Sequence, residues 1–116
     1  MSEFLYLYRG GMSSGPQRSP EQMQQEMQKW VAWMKDLEQK GHMRNPGHPL
    51  EPGGKTVKGR EKTVTDGPYA EAKDLVGGYT LIEARDLEHA VELSRGCPIL
   101  GVNGSVEVRP IMKMGA

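Results

Sequence analysis

Five apolar residues in a row, Phe4-Leu5-Tyr6-Leu7-Tyr8, constrain the fold more than any other stretch. So short and aromatic a run reads as a strand buried on both faces, because successive side chains point to opposite sides. Whatever covers one face of this strand, something else must cover the other.

Glycine, serine and proline between Gly10 and Pro16 end the strand in a loop. Ser19-Pro20-Glu21-Gln22 then opens a helix. Ser19 caps it, Pro20 stands where a missing N–H costs nothing, and Gln22 closes a capping box. Met23, Met27, Trp30, Val31, Met34 and Leu37 keep to one helical stripe, and Gly41 is the stop. The stripe predicts Trp30 and Met34 in the core and Trp33 at its edge. Residues 42–54, rich in proline and glycine, read as loop. Lys55 to Thr65 reads as a small hairpin around Gly59-Arg60, and Asp66-Gly67-Pro68 as a turn. Leu75 to Ala84 is a strand, with Tyr79, Leu81 and Glu83 on one face and Thr80, Ile82 and Ala84 on the other. Gly77-Gly78 marks a bulge or a close backbone approach there and, opening no helix, is not a nucleotide turn. Asp86 caps a second helix, with Leu87, Ala90, Val91 and Ser94 inward and Gly96 and Pro98 ending it. Ser105 to Ile111 is a last strand.

The order β, α, β (a hairpin), β, α, β is that of an α+β, ferredoxin-like split βαβ domain, and 116 residues make one such domain. Two helices cover one face of its sheet. The other face, which carries Tyr79 and Leu81 beside the doubly apolar first strand, calls for a second copy of the chain, so a homodimer is expected.

Fifteen basic and fifteen acidic residues cancel, which leaves no basic field for nucleic acid or an anionic membrane. No segment reaches the ~18 apolar residues of a membrane span. The N-terminal run is too short and too acidic for a signal peptide. Cys97, the single cysteine, excludes an internal disulfide and a cysteine-rich zinc site. A cytoplasmic protein is expected.

The stretch from Thr63 to Asp74, Thr-Val-Thr-Asp-Gly-Pro-Tyr-Ala-Glu-Ala-Lys-Asp, closely resembles the signature of the DGPF proteins, a branch of the YCII-related family. The usual form is Asp-Gly-Pro-Phe-Ala-Glu-x-Lys-Glu; Tyr69 stands for the Phe and Asp74 for the last Glu. The resemblance runs on through Val76-Gly77-Gly78-Tyr79, Gly96-Cys97-Pro98 and Ser105 to Pro110, with Trp30-Val31-Ala32-Trp33 and Pro49-Leu50-Glu51-Pro52 upstream. It implies a ferredoxin-like fold dimerised through its sheets as a dimeric α+β barrel. It also implies a bacterial source and an association with extracytoplasmic-function sigma factors. A few relatives are enzymes on chlorinated aromatics. The proposed His–Asp pair of the YCII branch has its His on the first helix, and no His lies between Pro20 and Lys40 here, so that pair does not carry over.

The residues that carry chemistry each have two readings. Asp66 is a general base or ligand-orienting carboxylate at a pocket mouth, or a turn residue whose side chain bonds the backbone two positions on. His48, in the stiff loop Pro46-Gly47-His48-Pro49, is the best acid–base candidate, or a solvated loop histidine. Tyr69 anchors the signature loop or meets a ligand. Glu71 and Lys73 share one face of an extended segment, as a solvated ion pair or as ligand contacts. Arg109 in the last strand pairs with Glu107, or faces the barrel interior and binds an anion. His42, just past a helix C-terminus, reads as a cap, His89 as exposed, and Cys97 as packing. No metal-type spacing joins His42, His48 and Asp66, so neither metal nor cofactor is expected. Loops 42–54 and 66–74 leave one end of the sheet, which predicts Asp66, Tyr69, Glu71 and His48 around one concave site. Two functions compete. One is a small cofactor-independent enzyme acting on a small organic molecule in a pocket of the dimeric barrel. The other is a ligand- or protein-binding regulatory module linked to a sigma factor.

Overall fold

In a computed structural model the protein is described at residues 1–10, 19–67 and 74–114. Four strands form one antiparallel sheet: β1 (Ser2–Arg9), β2 (Met43–Asn45), β5 (Val76–Ala84) and β6 (Ser105–Pro110), in the order β2-β5-β1-β6. Helices α1 (Pro20–Gln39) and α2 (Leu87–Ser94), with the 3-10 turn Pro98–Val102, pack on one side. This is the ferredoxin-like arrangement. β3 (Lys55–Lys58) and β4 (Thr63–Asp66) form a separate two-stranded sheet.

The second strand of the main sheet is therefore not the hairpin. It is Met43–Asn45, within the stretch read as loop. Three residues bounded by His42 and Pro46 are too few for a periodic signal, and pairing to Ile82 and Leu81 of β5 makes them a strand. The hairpin from Lys55 is formed as expected, with residues 55–58 registered against residues 66–63.

Packing follows the alternation of the strands. Phe4, Tyr6, Tyr8, Thr80, Ile82 and Ala84 are buried under the helices. The phenol of Tyr8 donates to Thr80 Oγ1 (2.7 Å), and that of Tyr6 donates to the Ala90 carbonyl. Burial pushes both phenols well above their ordinary range.

At α1 the capping box forms as read: Gln22 N–H donates to Ser19 Oγ, and Ser19 N–H to Gln22 Oε1. The docking face differs from the expected one. Trp33 and Leu37 are its buried residues, Trp30 and Met34 are half-buried, and Met23, Met27 and Val31 are exposed. The reason is aromatic fit. Trp33 lies over Tyr6 at 6.0 Å between ring centroids, meets Tyr8 and Trp30 edge-on, and donates its indole N–H to the Leu93 carbonyl (3.3 Å). Gly96 makes the room, since a Cβ there would stand 3.1 Å from the indole. The methionines define the stripe in sequence, but the tryptophan fills the core.

Gly77-Gly78 serves both expected purposes. The β1–β5 register slips between Tyr8 (opposite Gly78) and Arg9 (opposite Val76), so Gly77 is the bulge. At Gly78 a Cβ would lie 3.1 Å from the His48 carbonyl oxygen. No described helix is long and apolar enough to cross a membrane.

Candidate functional site

The face of the sheet away from the helices carries the chemistry. Directly paired residues in an antiparallel sheet put their side chains on the same face. Leu81, Leu5 and Arg109 make one such row across β5, β1 and β6, and Tyr79, Leu7 and Glu107 make the next. Leu5, Leu7, Tyr79 and Leu81 are half-buried, an apolar floor open to one side.

His48 stands at one margin of this floor, its ring 6.3 Å from that of Tyr79 at 69°. Four backbone attachments put it there. Thr80 Oγ1 donates to the Pro46 carbonyl (3.0 Å), and Gly47 N–H donates to Asn45 Oδ1 (2.9 Å). Leu50 N–H donates to the Gly77 carbonyl (2.8 Å), and Pro49 bridges to Gly78. Gly47 has φ +70°, and a Cβ on it would fall 1.8 Å from the Tyr79 carbonyl oxygen. Only glycine lets the loop lie this close to β5.

The opposite margin is charged. Glu107 accepts from Arg9 Nε (3.1 Å) and from Arg109 Nη1 (3.3 Å), while Arg9 also donates to the Asp74 carbonyl. Hydrogen bonds from Arg109 and then Arg9 hold the Glu107 carboxyl below the usual carboxylate range. Two guanidiniums share one carboxylate, and the Arg109 side chain is 65% exposed, so positive charge is left over at this margin.

Arg109 pairs with Glu107, the first of its two readings, and strand register puts it on the open face. Asp66 ends β4 with its side chain 93% exposed and pairs with Lys55 Nζ at 2.6 Å. The turn bond expected for it does not form, because the residue two positions on is Pro68, which has no N–H. Among the described residues no hydrogen bond or ring contact joins Asp66 to His48. Tyr69, Glu71 and Lys73 lie outside the described residues.

His42 caps α1 as expected, its backbone N–H donating to the Leu37 carbonyl (2.8 Å), and its ring also donates through Nδ1 to the Glu83 carbonyl (2.9 Å), tying the end of α1 to β5. His89 is half-buried rather than exposed, because its ring meets that of His42 edge-on at 5.0 Å and its Nδ1 accepts from Arg85 N–H (3.1 Å). Cys97 is buried, and burial pushes its thiol up to about 12. Among the described residues no three His, Cys, Asp or Glu side chains cluster as metal ligands do.

Arg9 and Thr80 were not singled out from sequence. Arg9 had a signal, since strand alternation puts it on the same face as Leu5 and Leu7. Thr80 had none, because its hydroxyl acts through a loop 34 residues away in sequence.

An antiparallel β2-β5-β1-β6 sheet under two helices, with its apolar face left open, defines a ferredoxin-like α+β protein. The YCII-related domain family matches residues 7–115, and the chain belongs to that family. No curated protein matches it. Among solved structures it is similar to 5-chloro-2-hydroxyhydroquinone dehydrochlorinase from Burkholderia phenoliruptrix AC1100 in complex with 2,5-dihydroxybenzoquinone. Identity is 18%, coverage is 97% of this chain and 95% of that one, and the TM-score is 0.42.

Proposed function

We propose that this YCII-related protein works as a homodimer that holds a small organic molecule over the open face of its sheet and acts on it without a cofactor. The observation that carries the reading is the composition of that face. An apolar floor of Leu5, Leu7, Tyr79 and Leu81 lies between His48 on one side and the Arg9–Glu107–Arg109 group on the other. A flat apolar body rests on such a floor. Arg109 is the counter-charge for a carboxylate or phenolate on it, and His48 is the group that takes or gives a proton. A second copy over the face excludes water and closes the site. Asp66 belongs to the hairpin in this reading.

The regulatory reading, a ligand-binding module linked to a sigma factor, is favoured by one feature. Among the described residues no carboxylate or hydroxyl hydrogen-bonds His48, and an acid–base histidine is ordinarily oriented by such a group.

The test is a thermal-shift screen of phenols and aromatic carboxylates, followed by assay of the hits for turnover. A ligand that binds only the native state raises the melting temperature. Arg109→Ala is expected to abolish the shift, and His48→Ala to leave the shift and remove turnover. Turnover that survives His48→Ala rejects the catalytic reading. A shift that survives Arg109→Ala rejects the anion contact.

A further inference from the structure

Thr80 is fully buried and faces the helices, while its neighbours Tyr79 and Leu81 face the other way. Its hydroxyl donates to the Pro46 carbonyl (3.0 Å) and accepts from the Tyr8 phenol (2.7 Å). The direction of this chain is fixed by its end. A carbonyl only accepts, so the one hydroxyl proton of Thr80 goes to Pro46, and the phenol must donate the other bond. Burial pushes the Tyr8 phenol above its ordinary range, so it keeps the proton it donates. Tyr8 in turn meets the indoles of Trp30 and Trp33 edge-on, at 4.9 and 6.4 Å between ring centroids.

The far end of the chain lies beside the candidate acid–base group. Pro46 meets Thr80, which faces the helices. Two residues on, His48 meets Tyr79, which faces the open side. The loop therefore crosses the edge of β5 between them, at Gly47, where a Cβ would fall 1.8 Å from the Tyr79 carbonyl oxygen. His48 is exposed, so its ring takes its place from the backbone that carries it. On the helix side of the crossing, that backbone is held by Thr80.

We infer that Tyr8 and Thr80 are positioning residues for His48, a hydrogen-bond chain that starts in the aromatic core under α1 and ends on the histidine loop of the opposite face. The inference rests on the proton-transfer role proposed for His48. It adds that this role is set from inside the core, by two groups that touch no substrate. Thr80→Val keeps the shape of the side chain, removes the proton given to Pro46 and leaves the Tyr8 phenol without its acceptor. Thr80→Ser keeps both bonds. Tyr8→Phe removes only the first link. The Thr80 hydroxyl is then free to turn, so its hold on Pro46 is loosened but not lost.

The test reads the His48 ring directly, in carbon–proton correlation spectra of the histidine-labelled full chain at one fixed pH. Tyr79→Leu, which removes the neighbouring ring current, supplies the reference position of the His48 signal. Thr80→Val is expected to move the wild-type signal more than halfway to that reference, and Tyr8→Phe to move it less far. Thr80→Ser is expected to leave it in place, as is Leu37→Ala, which truncates a buried residue outside the chain. Circular dichroism of each variant checks that it is folded. A signal unmoved in Thr80→Val overturns the inference, as does one moved equally by Thr80→Ser or Leu37→Ala. If Thr80→Val does not fold, Tyr8→Phe decides, and an unmoved signal there overturns it. A wild type whose signal already matches that of Tyr79→Leu overturns it as well. Turnover in His48→Ala judges the chemistry separately. A ring that moves in Thr80→Val, with turnover that survives His48→Ala, keeps the positioning and rejects the proton-transfer role.

Discussion

Truncating Trp33 to alanine is expected to cost more stability than truncating Trp30. Trp33 is 8% exposed, lies over Tyr6, meets Tyr8 and Trp30 edge-on, and hydrogen-bonds the Leu93 carbonyl. Removing so buried an indole costs about 3–5 kcal/mol. The upper end applies because Gly96 has no side chain with which to fill the gap and because Leu93 loses its donor. Trp30 is half-buried and meets Tyr8 edge-on at 4.9 Å, so its truncation costs roughly half as much. The unfolding entropy of a chain this long is about 0.24 kcal/mol per kelvin. Trp33→Ala then lowers the melting temperature by roughly 20 °C and Trp30→Ala by roughly 10 °C. Thermal unfolding followed at 222 nm, at one fixed protein concentration, reads both. A larger loss from Trp30→Ala than from Trp33→Ala refutes the docking face described for α1.

Three further outcomes follow from the site. Gly47→Ala combines a left-handed backbone with a Cβ driven into the Tyr79 carbonyl, so it costs about 2–4 kcal/mol; a neutral result in urea unfolding means the loop does not lie against β5. Glu107 has its folded pKa depressed by Arg109 and Arg9, so its contribution is present above the ordinary carboxylate range and lost as the pH falls through the folded value. Carboxyl NMR should put its midpoint below 4.5 and return it toward that value in Arg109→Ala; an unmoved midpoint removes Arg109 as the cause. Cys97, buried and raised to about 12, should react with a thiol reagent only as fast as the protein opens. Because its pKa is raised from 9.0, that contribution is present below pH 9 and declines above it; rapid labelling of the native protein at pH 8 contradicts the burial.

The main elements were legible because their signals are local. The cap of α1, the bulge at Gly77 and the two faces of β5 follow from neighbouring residues. The errors came from long-range packing. Met43–Asn45 becomes a strand because β5 offers an edge, and Trp33 outcompetes the methionine stripe because three other aromatic rings meet it. His89 is drawn under cover by His42, nearly half the chain away. At the site, His48 and Arg109 were legible as residue types, but their shared face follows only from strand register. For Asp66, one detail of the turn reading is excluded by chemistry alone, since the proline two positions on has no N–H to bond its side chain.

The open sheet face stands at the centre of the proposed function, and its pairing with a second copy is tested most directly by mass in solution. Sedimentation equilibrium at micromolar concentration is expected to give twice the 12.9 kDa chain mass, and Leu7→Lys, which places a charge in the middle of the floor, to return the single-chain value with the fold intact. A wild type that sediments at the mass of one chain, or a Leu7→Lys variant that remains a dimer, contradicts it.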